Sequence, residues 1–155
     1  MQVFVIRHAH AVVAAENAER PLSERGRKQV RRLARLLRKT GALPLTEVWH
    51  SPLLRSKETA ELLIDGLCAK AKLTQIDGIE GEDDPNIIAE RLRTRRSPVA
   101  IVGHEPHLSA LVSLLVAGRT APRKVVIKKS AVLALERSAE NDWVIVWHVS
   151  PAIVP

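Results

Sequence analysis

The stretch Val3-Phe4-Val5-Ile6-Arg7-His8 decides the fold. Four consecutive apolar residues leave no polar face. Such a run fits a strand covered on both sides, as in parallel sheets sandwiched by helices. It stops abruptly on a cation and an imidazole. Val99-Ala100-Ile101-Val102 repeats the pattern and stops on Gly103-His104. Around these two runs the hydrophobic period becomes helical. Ser23 reads as an N-cap, and Val30, Leu33, Ala34 and Leu37 then recur at helical spacing up to Thr40-Gly41. Glu47-Val48-Trp49-His50 predicts a short strand stopped by Ser51-Pro52. A second helix follows with Ala60, Leu63, Ile64 and Leu67 on one face, and residues 73–76 read as an edge strand.

Asp84-Pro85 predicts a capped helix start, with Ile87, Ile88 and Leu92 behind it. Pro106 opens another helix, whose main face is Leu108, Leu111, Val112 and Leu115. Leu114 and Val116 make it apolar nearly all round and predict deep burial. Residues 125–127, 131–135 and 143–149 read as late strands. Asn141-Asp142 turns the last two into an antiparallel hairpin. Strands alternating with helices define an α/β class, here a three-layer α/β/α sandwich with a mostly parallel central sheet.

The 155 residues fit a single domain, 1–155, and fall short of the roughly 250 that a (β/α)₈ barrel needs. With 46% hydrophobic and 26% charged residues the chain is not of disordered composition. Aromatics at 3% argue against a nucleic-acid binder that stacks single strands on aromatic platforms. Cys68 is the single cysteine, which excludes an internal disulfide; its apolar periodic context predicts a small core residue. No apolar run approaches the length of a membrane span, and the N-terminus lacks the charged lead and long apolar stretch of a secretory signal. A complete cytoplasmic chain is the expectation.

The net charge of +7 is local. From Glu19 to Lys39 there are nine basic residues and two acids, which accounts for all of it; the remainder holds 15 of each sign. The plain reading is a solvated helix face. A basic module for nucleic acid or for an acidic protein is the functional alternative, and spacing does not choose between them.

In open α/β sheets ligands bind beyond the C-terminal strand ends. Those ends carry Arg7-His8-Ala9-His10, His50-Ser51-Pro52-Leu53-Leu54-Arg55 and Gly103-His104-Glu105-Pro106. If they converge, Arg7, His8, Arg55 and His104 face one pocket. Guanidinium forks match phosphate oxygens. A neutral imidazole is a good nucleophile near pH 7, and a second imidazolium can stabilise transferring charge. Metal-free phosphoryl transfer is the natural chemistry of such a set. A metal pair at His8-Ala9-His10 lacks following carboxylate ligands, and His104-Glu105-Pro106-His107 is not the zinc helix motif. No phosphate-cradling or dinucleotide glycine motif is present, so no cofactor is expected.

The same residues carry a family resemblance. Arg7-His8-Ala9-His10-Ala11, Arg20-Pro21-Leu22-Ser23 with Gly26, Ser51-Pro52-Leu53-Leu54-Arg55-Ser56 with Glu58-Thr59-Ala60, and Val102-Gly103-His104-Glu105-Pro106 with Leu108-Ser109 resemble, in order, the motifs of the histidine phosphatase (phosphoglycerate mutase-like) superfamily. Order, spacing and small size are similar to the SixA-type phosphohistidine phosphatases, from residue 1 to about 118. The resemblance implies that His8 attacks phosphorus and carries the phosphoryl group, that Arg7, Arg55 and His104 hold its oxygens, and that Arg20 contacts it at the rim. It implies a phosphohistidine-bearing protein as partner, such as a phosphotransfer domain of a signalling relay, and phosphate or sulfate as pocket ligands.

Many superfamily members protonate the leaving group with a carboxylic acid. No residue matches that acid directly; Glu80, Glu82, Asp83 and Asp84 lie in a loop that could approach the pocket, with Glu80 and Glu82 the candidates. A phosphohistidine substrate needs it less: its P–N bond is weak, and general-acid help is worth roughly 10²–10⁴ in rate. A small-molecule phosphomonoesterase is the second reading and would require that acid. His10 matches no fixed motif position and reads as a rim residue. His50, His107 and His148 read as structural or surface groups, Ser51 as a turn former and Glu105 as a first-turn acid.

Overall fold

The computed structural model describes residues 1–153. The last two positions of the expected 1–155 domain lie outside the described residues. Strand β1 (Gln2–Arg7) is followed by α1 (Glu24–Thr40), β2 (Glu47–His50), α2 (Leu54–Leu67), β3 (Lys72–Gln75), α3 (Pro85–Thr94), β4 (Val99–Gly103), α4 (His107–Ala117), β5 (Val132–Arg137) and β6 (Trp143–Val149). A 3₁₀ turn, Pro151–Ile153, follows. The six strands form one sheet in the order β3-β2-β4-β1-β5-β6. Pairings among β3, β2, β4 and β1 are parallel; β5 runs antiparallel to β1 and β6 to β5.

The continuous apolar strands feed two cores, as their composition requires. Phe4 and Ile6 point to the layer made by α1 and α2, among Val30, Leu33, Leu37, Ala60 and Leu63. Val3 and Val5 point to the layer of α3 and α4, among Ile88, Leu92, Leu108, Leu111 and Val112. Each fully buried aliphatic or aromatic side chain contributes roughly 1.5–3 kcal/mol.

The helix ends follow their capping chemistry. The Ser23 hydroxyl accepts from the Gly26 amide and Gly41 takes the left-handed conformation at the C-cap of α1. The Asp84 carboxylate accepts from the Asn86 amide, with Pro85 in the first turn of α3. At the other end of α3 the buried Arg137 guanidinium donates to the carbonyls of Leu92, Arg93 and Arg95, which satisfies helix-terminal acceptors and locks β5 to α3.

Three expectations change. Residues 125–127 form no strand: Ile127 is buried and its amide donates to the Glu105 carboxylate instead of a ladder partner. Cys68 is no core residue. It is the exposed, left-handed C-cap of α2, with the Arg38 guanidinium donating to its sulfur, so its side chain turns off the apolar face just as the helix ends. Helix α4 is not buried all round: Leu114 is half-buried and Val116 is exposed, because the helix packs on one layer only. No helix among the described residues is long and apolar enough to cross a membrane.

Candidate active site

Strand register brings the predicted side chains together. Arg7 sits opposite Gly103 in the parallel β1–β4 pair, and His50 sits opposite Val102 in the β2–β4 pair. The three chains therefore leave the sheet side by side. The His8 amide donates to the Gly103 carbonyl at 3.0 Å, and the Ser51 amide to the Val102 carbonyl at 3.4 Å. The result is a cleft of about 330 Å³ whose walls include Arg7, His8, Arg20, Arg55, Glu80, His104 and Lys129.

His8 and His104 are buried, with ring centroids 4.9 Å apart. Nδ1 of His8 lies 2.7 Å from the Ala9 carbonyl oxygen. A carbonyl only accepts, so Nδ1 carries the proton and Nε2 keeps its lone pair. Burial, followed by the positive charges of His104, Arg55 and Arg7, lowers the His8 pKa from 6.5 to about 3, against the Ala9 hydrogen bond that raises it. Nε2 of His104 lies 2.6 Å from the Ser51 hydroxyl, which also accepts the Leu53 amide. Burial, then Arg55, His107, Arg7 and Arg20, lower the His104 pKa to about 4. The second imidazole is thus neutral near pH 7 in the free cleft, where an imidazolium was expected. The cations crowding it oppose its protonation until a ligand supplies negative charge.

One guanidinium hydrogen bond fixes Arg7, from Nη1 to the Ile127 carbonyl at 3.0 Å. The Nε–H groups of both Arg7 and Arg55 are buried without a partner. A buried donor left unpaired costs free energy, so two of them at one cleft mark a site shaped for an acceptor. Burial and the neighbouring Arg20 lower the Arg55 pKa, with Glu80 opposing. Arg20 reaches the cleft from a left-handed backbone (φ 52°), its Nε held by the Val12 carbonyl at 3.2 Å. Among the acidic candidates Glu80 lines the cleft, whereas Glu82 is exposed and does not. His10 lies outside the cleft walls, with Nδ1 2.7 Å from the Ser23 hydroxyl.

The remaining motif residues support these groups. The Ala9 amide donates to the Thr59 hydroxyl at 3.0 Å, and that hydroxyl donates to the Arg55 carbonyl at 2.7 Å, tying the His8 loop to the first turns of α2. Glu58 accepts the Leu22 amide at 2.6 Å and pairs with Arg27, which fastens the lead-in of α1. At Gly26 a Cβ would collide with the His10 carbonyl, so only glycine lets α1 pack directly on the His8 loop. Reading the sequence as isolated strand ends missed Lys129 in the cleft wall and the Ser51 contact to His104. Lys129 follows a segment with no periodicity, and a serine before proline reads first as a turn former. Among the described residues no His, Cys, Asp or Glu side chains group as metal ligands would.

A strand-end cleft holding two neutral imidazoles and two arginines with unpaired donors is suited to an anionic, phosphate-like ligand. Comparison with known proteins agrees. The model of the histidine phosphatase superfamily (branch 1) matches residues 3–78 of the chain. It is similar to the protein histidine phosphatase SixA solved with tungstate, at 27% identity, TM-score 0.84 and 98% of each chain covered. The alpha-ribazole phosphatase from Shigella flexneri shares the fold, at 15% identity, TM-score 0.76 and 97% coverage of each chain. An uncharacterised protein from Picosynechococcus sp. is 26% identical over 90% of this chain and 87% of its own length.

Proposed function

We propose that this phosphatase hydrolyses phosphohistidine on a protein by way of a phospho-His8 intermediate. The observation that carries the reading is the unprotonated Nε2 of His8 beside Arg7 and Arg55, whose buried Nε–H groups lack partners. The Nε2 lone pair attacks phosphorus, the substrate's P–N bond breaks, and the leaving imidazole takes a proton from solvent. Arg7 and Arg55 hold the equatorial oxygens. The Ser51 hydroxyl, already accepting from Leu53, gives its hydrogen to Nε2 of His104. That leaves Nδ1–H of His104 as a third donor to the phosphoryl group. Water then attacks phosphorus, the bond to His8 breaks, and inorganic phosphate leaves.

The carboxylates favour a phosphoramidate over an ester. Glu105 is occupied: it accepts from the Ser109 amide and hydroxyl and from the Ile127 amide. Only Glu80 remains in the cleft wall as a potential acid, facing Arg55. The likeness to SixA supports the same choice. The second reading, a small-molecule phosphomonoesterase, rests on Glu80 and on the fold shared with an alpha-ribazole phosphatase. Glu80→Gln separates the two. A phosphohistidine enzyme keeps its turnover of phosphohistidine within a few-fold, whereas an esterase loses roughly 10²–10⁴ of its ester turnover. Phosphate release from phosphohistidine protein, abolished in His8→Ala, is the direct assay.

A further inference from the structure

Two cavities adjoin the cleft and share Arg7 with it. One, of about 420 Å³, is walled by Arg123, Lys124 and residues 125–127; the other, of about 470 Å³, by Arg25, Lys128, Lys129 and the turn at residues 150–152. The segment from Gly118 to Ser130 contains five basic residues and no acid. It passes along this side of the cleft, and α1 contributes Arg25 from its first turn. Among the described residues, none of Arg20, Arg25, Arg123, Lys124, Lys128 and Lys129 takes part in an ion pair. Elsewhere Lys28 pairs with Glu24, Lys57 with Glu61, Arg93 with Glu90 and Arg95 with Glu47, while among the described residues Arg31, Arg32, Arg35 and Arg38 along α1 are in no ion pair either; what sets the rim apart is its place around the cleft.

The acids nearby are outnumbered. Glu105 lines both the cleft and the Arg123/Lys124 cavity, hydrogen-bonded to Ser109 and Ile127, and Glu80 stands on the cleft wall beside Arg55; Glu24 is paired with Lys28, and Glu16 and Glu19 are exposed on the loop before Arg20. Lys129 illustrates the surplus. Burial and the charges of Arg7, Arg20, Arg25 and Arg55 all lower its pKa. Arg7 and Arg55 already balance one phosphoryl dianion. Six further unpaired cations on the rim exceed what a small phosphate ester requires.

We propose that this rim docks an acidic protein surface that presents its phosphorylated histidine to His8. The inference rests on the phosphohistidine reading above. A protein partner is favoured over nucleic acid because Val126, 68% exposed, stands amid the cations, with Ala121 and Pro122 exposed beside it. Apolar side chains ringed by charge fit the core and rim of a protein interface and have no role against a phosphate backbone. Paired positive and negative faces would speed encounter and set orientation more than they deepen affinity.

The test uses two phosphohistidine peptides identical except for flanking Glu or flanking Lys residues. At about 20 mM salt the account predicts kcat/KM at least about 10-fold higher for the acidic peptide. That preference should collapse toward unity at about 300 mM salt and in the Arg123→Glu/Lys124→Glu variant. Binding of the unphosphorylated peptides, read by fluorescence anisotropy, makes the same comparison without chemistry. Turnover of both peptides with no preference, or a preference the variant leaves intact, overturns the docking surface and spares the chemistry. Acidic preference in binding with turnover of neither supports the surface and overturns the phosphohistidine reading. Tighter binding of duplex DNA than of the acidic peptide assigns the rim to nucleic acid and overturns the proposal.

Discussion

The rings of His8 and His104 stand 4.9 Å apart, inclined at 45°, each with one nitrogen already committed. His8 gives Nδ1–H to Ala9, and His104 uses Nε2 toward Ser51. In the proposed mechanism the pair presents one lone pair, at His8 Nε2, and one donor, at His104 Nδ1, to a bound phosphoryl group.

Protonation is the first consequence. With pKa values lowered to about 3 and about 4, both rings are neutral from pH 5 to 8 in the free protein. Ring-nitrogen NMR should show His8 as the Nδ1–H tautomer throughout that range. A His8 titrating near 6.5 would contradict the geometry. Phosphate, bringing negative charge, should raise the His104 pKa and cause proton uptake on binding.

Stability should follow the same groups. The unfolded chain's histidines titrate near 6.5, so between that value and about 4 the unfolded state binds more protons than the folded one. Folding stability is then unaffected by these two residues above pH 7 and falls as pH drops through that window. Denaturant titrations at stepped pH should show the loss. His104→Ala should make the acid limb shallower, and an unchanged limb would count against buried neutral imidazoles.

Ser51→Ala removes the partner of His104 Nε2 and frees the ring to rotate. A neutral hydrogen bond is worth roughly 0.5–1.5 kcal/mol, so kcat should fall about 10-fold with KM changed less. Ser51→Thr, which restores the hydroxyl, should recover most of the rate. Failure of threonine to rescue, with the protein folded, would mean that Ser51 acts only in its turn.

Gly26→Ala places a methyl against the His10 carbonyl, where the close contact is with backbone and cannot be relieved by a rotamer change. Overpacking of this kind costs roughly 1–3 kcal/mol. Thermal denaturation should show that loss. Activity should fall as well, since the displaced backbone is two residues from the nucleophile.

Much of this was legible because each apolar run ends abruptly in sequence. Ile6 gives way to Arg7-His8 and Val102 to Gly103-His104, and parallel register turns those strand ends into neighbours. Caps at Ser23 and Asp84 were equally local. What sequence reading lost depends on contacts distant in the chain. Residues 125–127 have the composition of a strand, yet the Ile127 amide finds Glu105, 22 residues away, and the Ile127 carbonyl finds Arg7. Cys68 continues an apolar period that ends with the helix itself. The charge of +7 pointed to the 19–39 segment, but four of the six rim cations, Arg123, Lys124, Lys128 and Lys129, come from residues 118–130, whose charge is hidden in the total by acids on other surfaces.

The central claim is covalent transfer to His8. Rapid acid-free quench of the protein mixed with ³²P-labelled phosphohistidine substrate, followed by peptide mapping, tests it directly. The account predicts an alkali-stable, acid-labile label on the peptide containing His8, absent from His8→Ala, whose turnover falls by about 10³-fold or more. Undiminished turnover in His8→Ala, or a label on another residue, would contradict it.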